Sequence, residues 1–161
     1  MRIIAIDPGG TTGWATCVLG DKVEDPLWKP KLEDHFEDCG QLTGDHHYKL
    51  RQLLSTKNPD VIVRERFEHR NNEFAQLVSC EYIGVVKMWS QQYKRRLVMQ
   101  GASQAKPWVS TKKLVKLGLW LQPADAWGHA IDARRHLVYY LIFNSGNQYI
   151  STKLLQALKG L

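Results

Sequence analysis

Cysteine is scarce: Cys17, Cys39 and Cys80 are the whole complement. Few, odd in number and far apart, they exclude a disulfide framework and fit a reducing compartment. Long apolar runs are missing as well. The longest, Leu137 to Phe143, falls far short of the ~20 residues that a membrane span needs. No basic-then-apolar leader opens the chain, so no secretory signal is expected. Internal repeats, low-complexity tracts and dividing linkers are also lacking. What remains is a soluble, cytoplasmic protein, predicted to fold residues 1–161 as one domain.

Charge is present in excess on one side. Lys plus Arg is 22 against 16 Asp plus Glu, a net charge of +6. The bases cluster: Arg64, Arg66 and Arg70; Lys94, Arg95 and Arg96; Lys112, Lys113 and Lys116; Arg134 and Arg135. Such clusters attract phosphates and release counterions, or else form solvated faces.

The apolar pattern predicts a βββαβαβ(α)α order. Arg2–Asp7 reads as a central strand buried on both faces, and Pro8-Gly9-Gly10 as a tight turn. Thr12–Leu19 then returns antiparallel, residues 20–34 form a Pro-containing loop or hairpin tip, and His35–Leu42 makes a third strand. Asp45–Lys57 has helical spacing and is stopped by Asn58-Pro59-Asp60. Val61–Phe67 is the next strand, with Val61, Val63 and Glu65 on one face. Glu73–Tyr93 is a long helix, Leu97–Met99 a strand and Gly101–Trp108 a polar loop. Helices are expected over Thr111–Leu119, Pro123–Phe143 and Ser151–Leu158.

Three acids stand out. Asp7 ends a buried strand, where a carboxylate is costly unless it is paired or binds metal. Its plainer role is to cap the turn that follows. Glu65 ends the second apolar strand in the same way, and an ion pair with Arg64 or Arg66 is its plainer reading. Asp125, His129, Asp132 and His136 form a polar stripe on the third segment, beside Ala126, Ala130, Ala133, Leu137 and Leu141. Small alanines let that helix approach the sheet. Asp125 reads equally as a helix cap, and His136 as solvated or facing DNA. Two carboxylates ~4 Å apart repel by about 4 kcal/mol at an effective dielectric of roughly 20. Three converging acids therefore call for a cation. Oxygen-rich sites with one imidazole suit Mg²⁺ or Mn²⁺, and a pair of such ions ~4 Å apart hydrolyses phosphodiesters.

These segments carry a resemblance. IIAIDPGGTTGWA at Ile3 to Ala15 resembles the first motif of RuvC-like Holliday junction resolvases: an acid-Pro-Gly turn, then Thr-Gly and an aromatic. VIVRERF at Val61 to Phe67 is similar to the second-strand motif, and HAIDA at His129 to Ala133 to the final-helix motif. The resemblance covers roughly residues 2 to 143 and includes Ser103-Gln104-Ala105-Lys106 in order. It implies an α/β, RNase H-like fold with a mixed five-stranded sheet flanked by helices. It implies a homodimer that cleaves branched DNA, with two Mg²⁺ ions or Mn²⁺ in their place. Asp7, Glu65, Asp132 and His129 would hold metal, His129 alternatively orienting the attacking water. Lys106 would face the active site. Phe67, Arg70, Lys112, Lys113 and Arg135 would contact DNA. Gly9-Gly10 and the insert at residues 20–34 look more like resolvases carried by bacteriophages, which often accept several branched structures.

Other readings compete. Asp7-Pro8-Gly9-Gly10-Thr11 resembles the phosphate loop of actin-like sugar kinases, but 161 residues are too few for their two lobes. A fold-sharing nuclease for structured RNA, or a junction-binding module with a weak site, would also fit. Cys39, His46 and His47 match no usual zinc spacing, and the adjacent histidines suit an exposed helix. Val85, Val86 and Trp89 on the long helix offer apolar surface for the sheet and for a two-fold contact.

Overall fold

A computed structural model describes residues 1–20, 32–66, 73–123 and 126–159. Five strands form one mixed sheet: β1 (Arg2–Asp7), β2 (Thr11–Val18), β3 (Phe36–Thr43), β4 (Val61–Glu65) and β5 (Arg96–Gln100). Their spatial order is β3-β2-β1-β4-β5. β2 runs antiparallel to both β1 and β3, whereas β4 is parallel to β1 and β5. The helices are α1 (His47–Lys57), α2 (Glu73–Gln92), α3 (Ala102–Trp108), α4 (Thr111–Lys116), α5 (Gly128–Phe143) and α6 (Gln148–Ala157). The α/β architecture expected from the alternating apolar segments is therefore present. No helix among the described residues is long and apolar enough to cross a membrane.

Strand alternation divides the core in two. Ile4, Ile6 and Ile62 point to one face and pack with Leu50 and Leu54 of α1 and Tyr82, Val86 and Trp89 of α2. Ile3, Ala5, Val61 and Val63 point to the other and pack with Ala133, Leu137 and Leu141 of α5. The same parity sends Asp7 and Glu65 to the α5 side. Val86 and Trp89 are thus core residues; among the described side chains of α2, the large apolar ones left exposed are Leu77 and Met88.

Local chemistry explains several boundaries. Asn58 adopts the left-handed conformation (φ 43°) and its N–H donates to Leu54 O at 2.8 Å, closing α1. The segment read as a polar loop from Gly101 is instead mostly helical. Gly101 N–H donates to Gln104 Oε1 at 3.2 Å, and Val109 N–H donates to Ala105 O at 2.9 Å across Pro107. Proline removes one internal donor without stopping so short a helix. The long helix expected from Pro123 starts only at Gly128, so Ala126 lies outside it. Asp125, Phe67 and Arg70 and most of the insert, residues 21–31, lie outside the described residues.

The histidines at the start of α1 are not both exposed. His46 is buried, stacked on Tyr82 at 3.8 Å between ring centroids, with Nδ1 2.7 Å from Gly44 O and Nε2 2.7 Å from Thr12 Oγ1. His47 instead pairs with Asp45 and Glu81 on the surface. Both rings pack on Tyr82, and among the described residues they form no metal-holding group with Cys39.

Candidate functional site

The register of the sheet places the first two acids. Ile6 pairs with Arg64 across β1 and β4, so Asp7 and Glu65 follow one step beyond, at the carboxyl ends of two parallel neighbours. Arg64 points away from Glu65's carboxylate and donates from Nη1 to Glu65 O at 2.8 Å. The neighbouring-base ion pair considered for Glu65 is therefore not made with Arg64. Thr12, fully buried, closes the turn after Asp7 by donating to Gly9 O at 3.1 Å. The third acid needs α5 to lie close to the sheet. Gly13 makes that possible: a Cβ there would sit 1.9 Å from His129 O. Ala130 and Ala133, fully buried, continue the close contact.

The start of α5 is held by a residue from across the sheet. Gln41 on β3 accepts from His129 N–H at 2.9 Å and Ala130 N–H at 3.2 Å, and donates to Ala126 O at 2.8 Å. It fills the place of a helix cap, which Trp127 does not provide.

At the centre lies Lys106. Its Nζ is 3.2 Å from Asp7 Oδ1, 2.8 Å from Glu65 Oε2 and 3.0 Å from Asp132 Oδ2. Three acids from β1, β4 and α5 thus converge on one cationic atom supplied by α3. Each acid has a second partner. His129 Nδ1 is 2.8 Å from Asp7 Oδ2, Arg135 Nη1 donates to Asp132 Oδ1, and His136 Nε2 is 3.3 Å from Glu65 Oε2. The electrostatics follow from this crowding. Burial raises the Asp7 pKa above the ordinary carboxylate value, against the lowering pull of His129 and Lys106. Burial also pushes Glu65 up, but hydrogen bonds from His136, Asp7 and Lys106 outweigh it and hold its carboxyl well below the usual range. Lys106 is penalised by burial yet held above its usual value by Asp7, Glu65 and Asp132. The hydrogen bond to Asp7 raises His129.

His136 departs from its expected solvated position. It is fully buried, with Nδ1 3.0 Å from Gln100 Oε1. Gln100 is buried and pairs with Glu65 in the β4–β5 register, so both project to the same face. The ligand atoms of Asp7, Glu65 and His136 lie within 4.8 Å of one another. The signal in the sequence was the four-residue step from Asp132 to His136, which puts both on the inner side of α5.

The expected DNA contacts are placed differently from one another. Lys112 is exposed. Lys113 turns back onto Trp108, donating to Trp108 O at 2.7 Å with its ammonium 3.6 Å from the ring centroid. Arg135 is committed to Asp132, Val109 O and Thr111 Oγ1. A cleft of about 330 Å³ opens beside the acids, lined by Trp120, Gly128, His129, Ile131, Asp132 and Arg135.

No family model matches the chain, and no curated protein matches it in sequence. Solved structures do. RuvC of Thermus thermophilus in complex with Holliday junction substrate is 13% identical, with 87% of this chain and 94% of that one covered and a TM-score of 0.57. A second Thermus thermophilus RuvC structure is 19% identical, covering 87% and 95%, again with a TM-score of 0.57. The fold is that of these RuvC structures.

Proposed function

From a RuvC-like fold that gathers three acids around one cation, we propose that this protein is a metal-dependent endonuclease that cleaves Holliday junctions and other branched DNA. The observation that carries the reading is the contact of one ammonium with Asp7, Glu65 and Asp132. Carboxylates from three distant segments are held where a positive charge is required. The donor set also fits the ion: hard carboxylate oxygens with imidazole beside them suit Mg²⁺ or Mn²⁺.

Asp7, Glu65 and Asp132 would hold two divalent ions, with His129 at the edge of the set. Bound there, such ions lower the pKa of an attacking water and stabilise the leaving oxygen of the phosphodiester. The rest is done by side chains. Arg135 and His136 fix the orientation of Asp132 and Glu65, as outer partners of metal ligands do. His129, half-exposed beside Asp7, would otherwise orient the attacking water. Lys106 and Lys112 would contact phosphates near the cut, Phe67 would touch the junction centre and Arg70 would contact DNA. The cleft along His129, Asp132 and Arg135 gives the backbone a path to the acids. Pairing of two copies through the exposed Leu77 and Met88 of α2 would present two such sites to opposing strands.

The test uses four-way, three-way and linear DNA with Mg²⁺, Mn²⁺ or chelator. Wild-type protein is expected to cut branched substrates only with metal. Asp7→Asn and Asp132→Asn are expected to bind them without cutting. Wild-type-like cleavage by either variant would overturn the assignment, and preferential cleavage of structured RNA would redirect it.

A further inference from the structure

We infer that Lys106 is the resident counter-cation of the acid cluster, opposing metal entry and becoming free for a substrate phosphate only once an ion has replaced it. The inference rests on the metal-binding reading above.

Each acid uses its oxygens in a defined way. Asp7 turns Oδ2 to His129 and Oδ1 to Lys106; Asp132 turns Oδ1 to Arg135 and Oδ2 to Lys106. Glu65 Oε2 meets both His136 and Lys106. The outer contacts come from α5 itself, which is fixed to the sheet by Gly13, Ala130 and Ala133. The carboxylates therefore cannot relieve their repulsion by moving apart. Arg135 and His129 each meet one acid, whereas the inner cation meets all three. That cation is the end of a flexible four-carbon stem, and 29% of the Lys106 side chain is exposed, so a way outward is open. A divalent ion seeking the same inner oxygens must displace the ammonium. The wild-type site thus binds metal against an internal competitor, while His129, Arg135 and His136 keep the acids aligned whichever cation is present.

Removing the ammonium should have two opposite consequences. Lys106→Met leaves the acids unneutralised, so the metal-free variant should melt below the wild type. The same variant should bind Mn²⁺ at least tenfold more tightly by calorimetry, and added Mn²⁺ should raise its melting temperature by more than it raises that of the wild type. Equal or weaker Mn²⁺ binding by Lys106→Met, with binding by the wild type intact, overturns the inference and leaves the metal-dependent reading standing. Absence of Mn²⁺ binding by the wild type removes both. Should metal-free Lys106→Met fail to fold, the wild type answers alone. Reductive methylation of Lys106, compared with the exposed Lys112, is expected to accelerate when Mg²⁺ is added. Unchanged Lys106 reactivity counts against displacement.

Discussion

Replacing Gly13 by alanine tests whether close approach of α5 assembles the site. The new Cβ would lie 1.9 Å from His129 O and 2.1 Å from His129 C, whereas ordinary contact begins near 3.4 Å. The helix must retreat by about 1.5 Å, since both colliding groups belong to the backbone and no rotamer change relieves them. Overpacking of this kind costs about 3 kcal/mol, the upper end of its usual range. For a chain of this size that corresponds to a melting temperature lower by about 6–12 °C. The retreat also exceeds the ~0.5 Å within which catalytic groups must be held. Cleavage of a four-way junction should fall by about 100-fold even in the variant molecules that stay folded. The assays are thermal unfolding and single-turnover cleavage well below the variant's melting point. Gly84→Ala on α2 is the control, because its methyl meets nothing within 4 Å. A Gly13→Ala protein with wild-type stability and cleavage would refute the packing argument.

Three further outcomes follow from neighbouring contacts. Gln41→Ala removes three hydrogen bonds at the start of α5 and should cost about 1–2 kcal/mol, read as a melting temperature lower by about 2–8 °C; no change would mean that solvent caps the helix equally well. His136→Leu should weaken Mn²⁺ binding by about 10–100-fold while the protein stays folded, with His136→Gln intermediate; wild-type affinity in the leucine variant would deny His136 a role in aligning Glu65. The pH dependence concerns His129, whose folded pKa is raised above 6.5 by Asp7. Its stabilising contribution to the metal-free protein is complete below the unfolded value and is lost as pH climbs through the raised one. The difference in melting temperature between wild type and His129→Ala should therefore shrink as pH rises from below 6.5 into the alkaline range, and a constant difference would exclude the pair as its source.

Much of this was legible in the chain, and the exceptions have physical causes. Arg2–Asp7 announced a central strand because apolar residues fill both of its faces, and β1 is indeed flanked on both sides. The acids at its end and at the end of β4 stood out because a carboxylate that closes a buried apolar strand is costly unless it is paired or binds metal. Alanines on α5 foretold a close approach. Missing from the sequence was the partner surface. Gly13 reads as one of several glycines until α5 is seen over it. Gln41 and Gln100 are unremarkable polar residues whose roles arise from strand register and from the helix that crosses them. His136 was read as solvated because a polar stripe on a helix usually faces water; here the stripe faces a buried carboxylate and amide, which supply the missing hydrogen bonds. The helix at Ala102 was hidden by Pro107, which weakens a helix without preventing a single short one.

Gln41, Asp7, Glu65, Lys106 and Asp132 belong to β3, β1, β4, α3 and α5, so the centre is spread over residues 7–132 and no short fragment of the chain contains it. During synthesis the strands emerge first, with two carboxylates and no counter-charge; the lysine follows, and the third acid comes last on α5. A half-made polypeptide therefore carries no assembled acid cluster. On the proposed reading, nucleic acid around a translating ribosome meets that cluster only when α5 has docked.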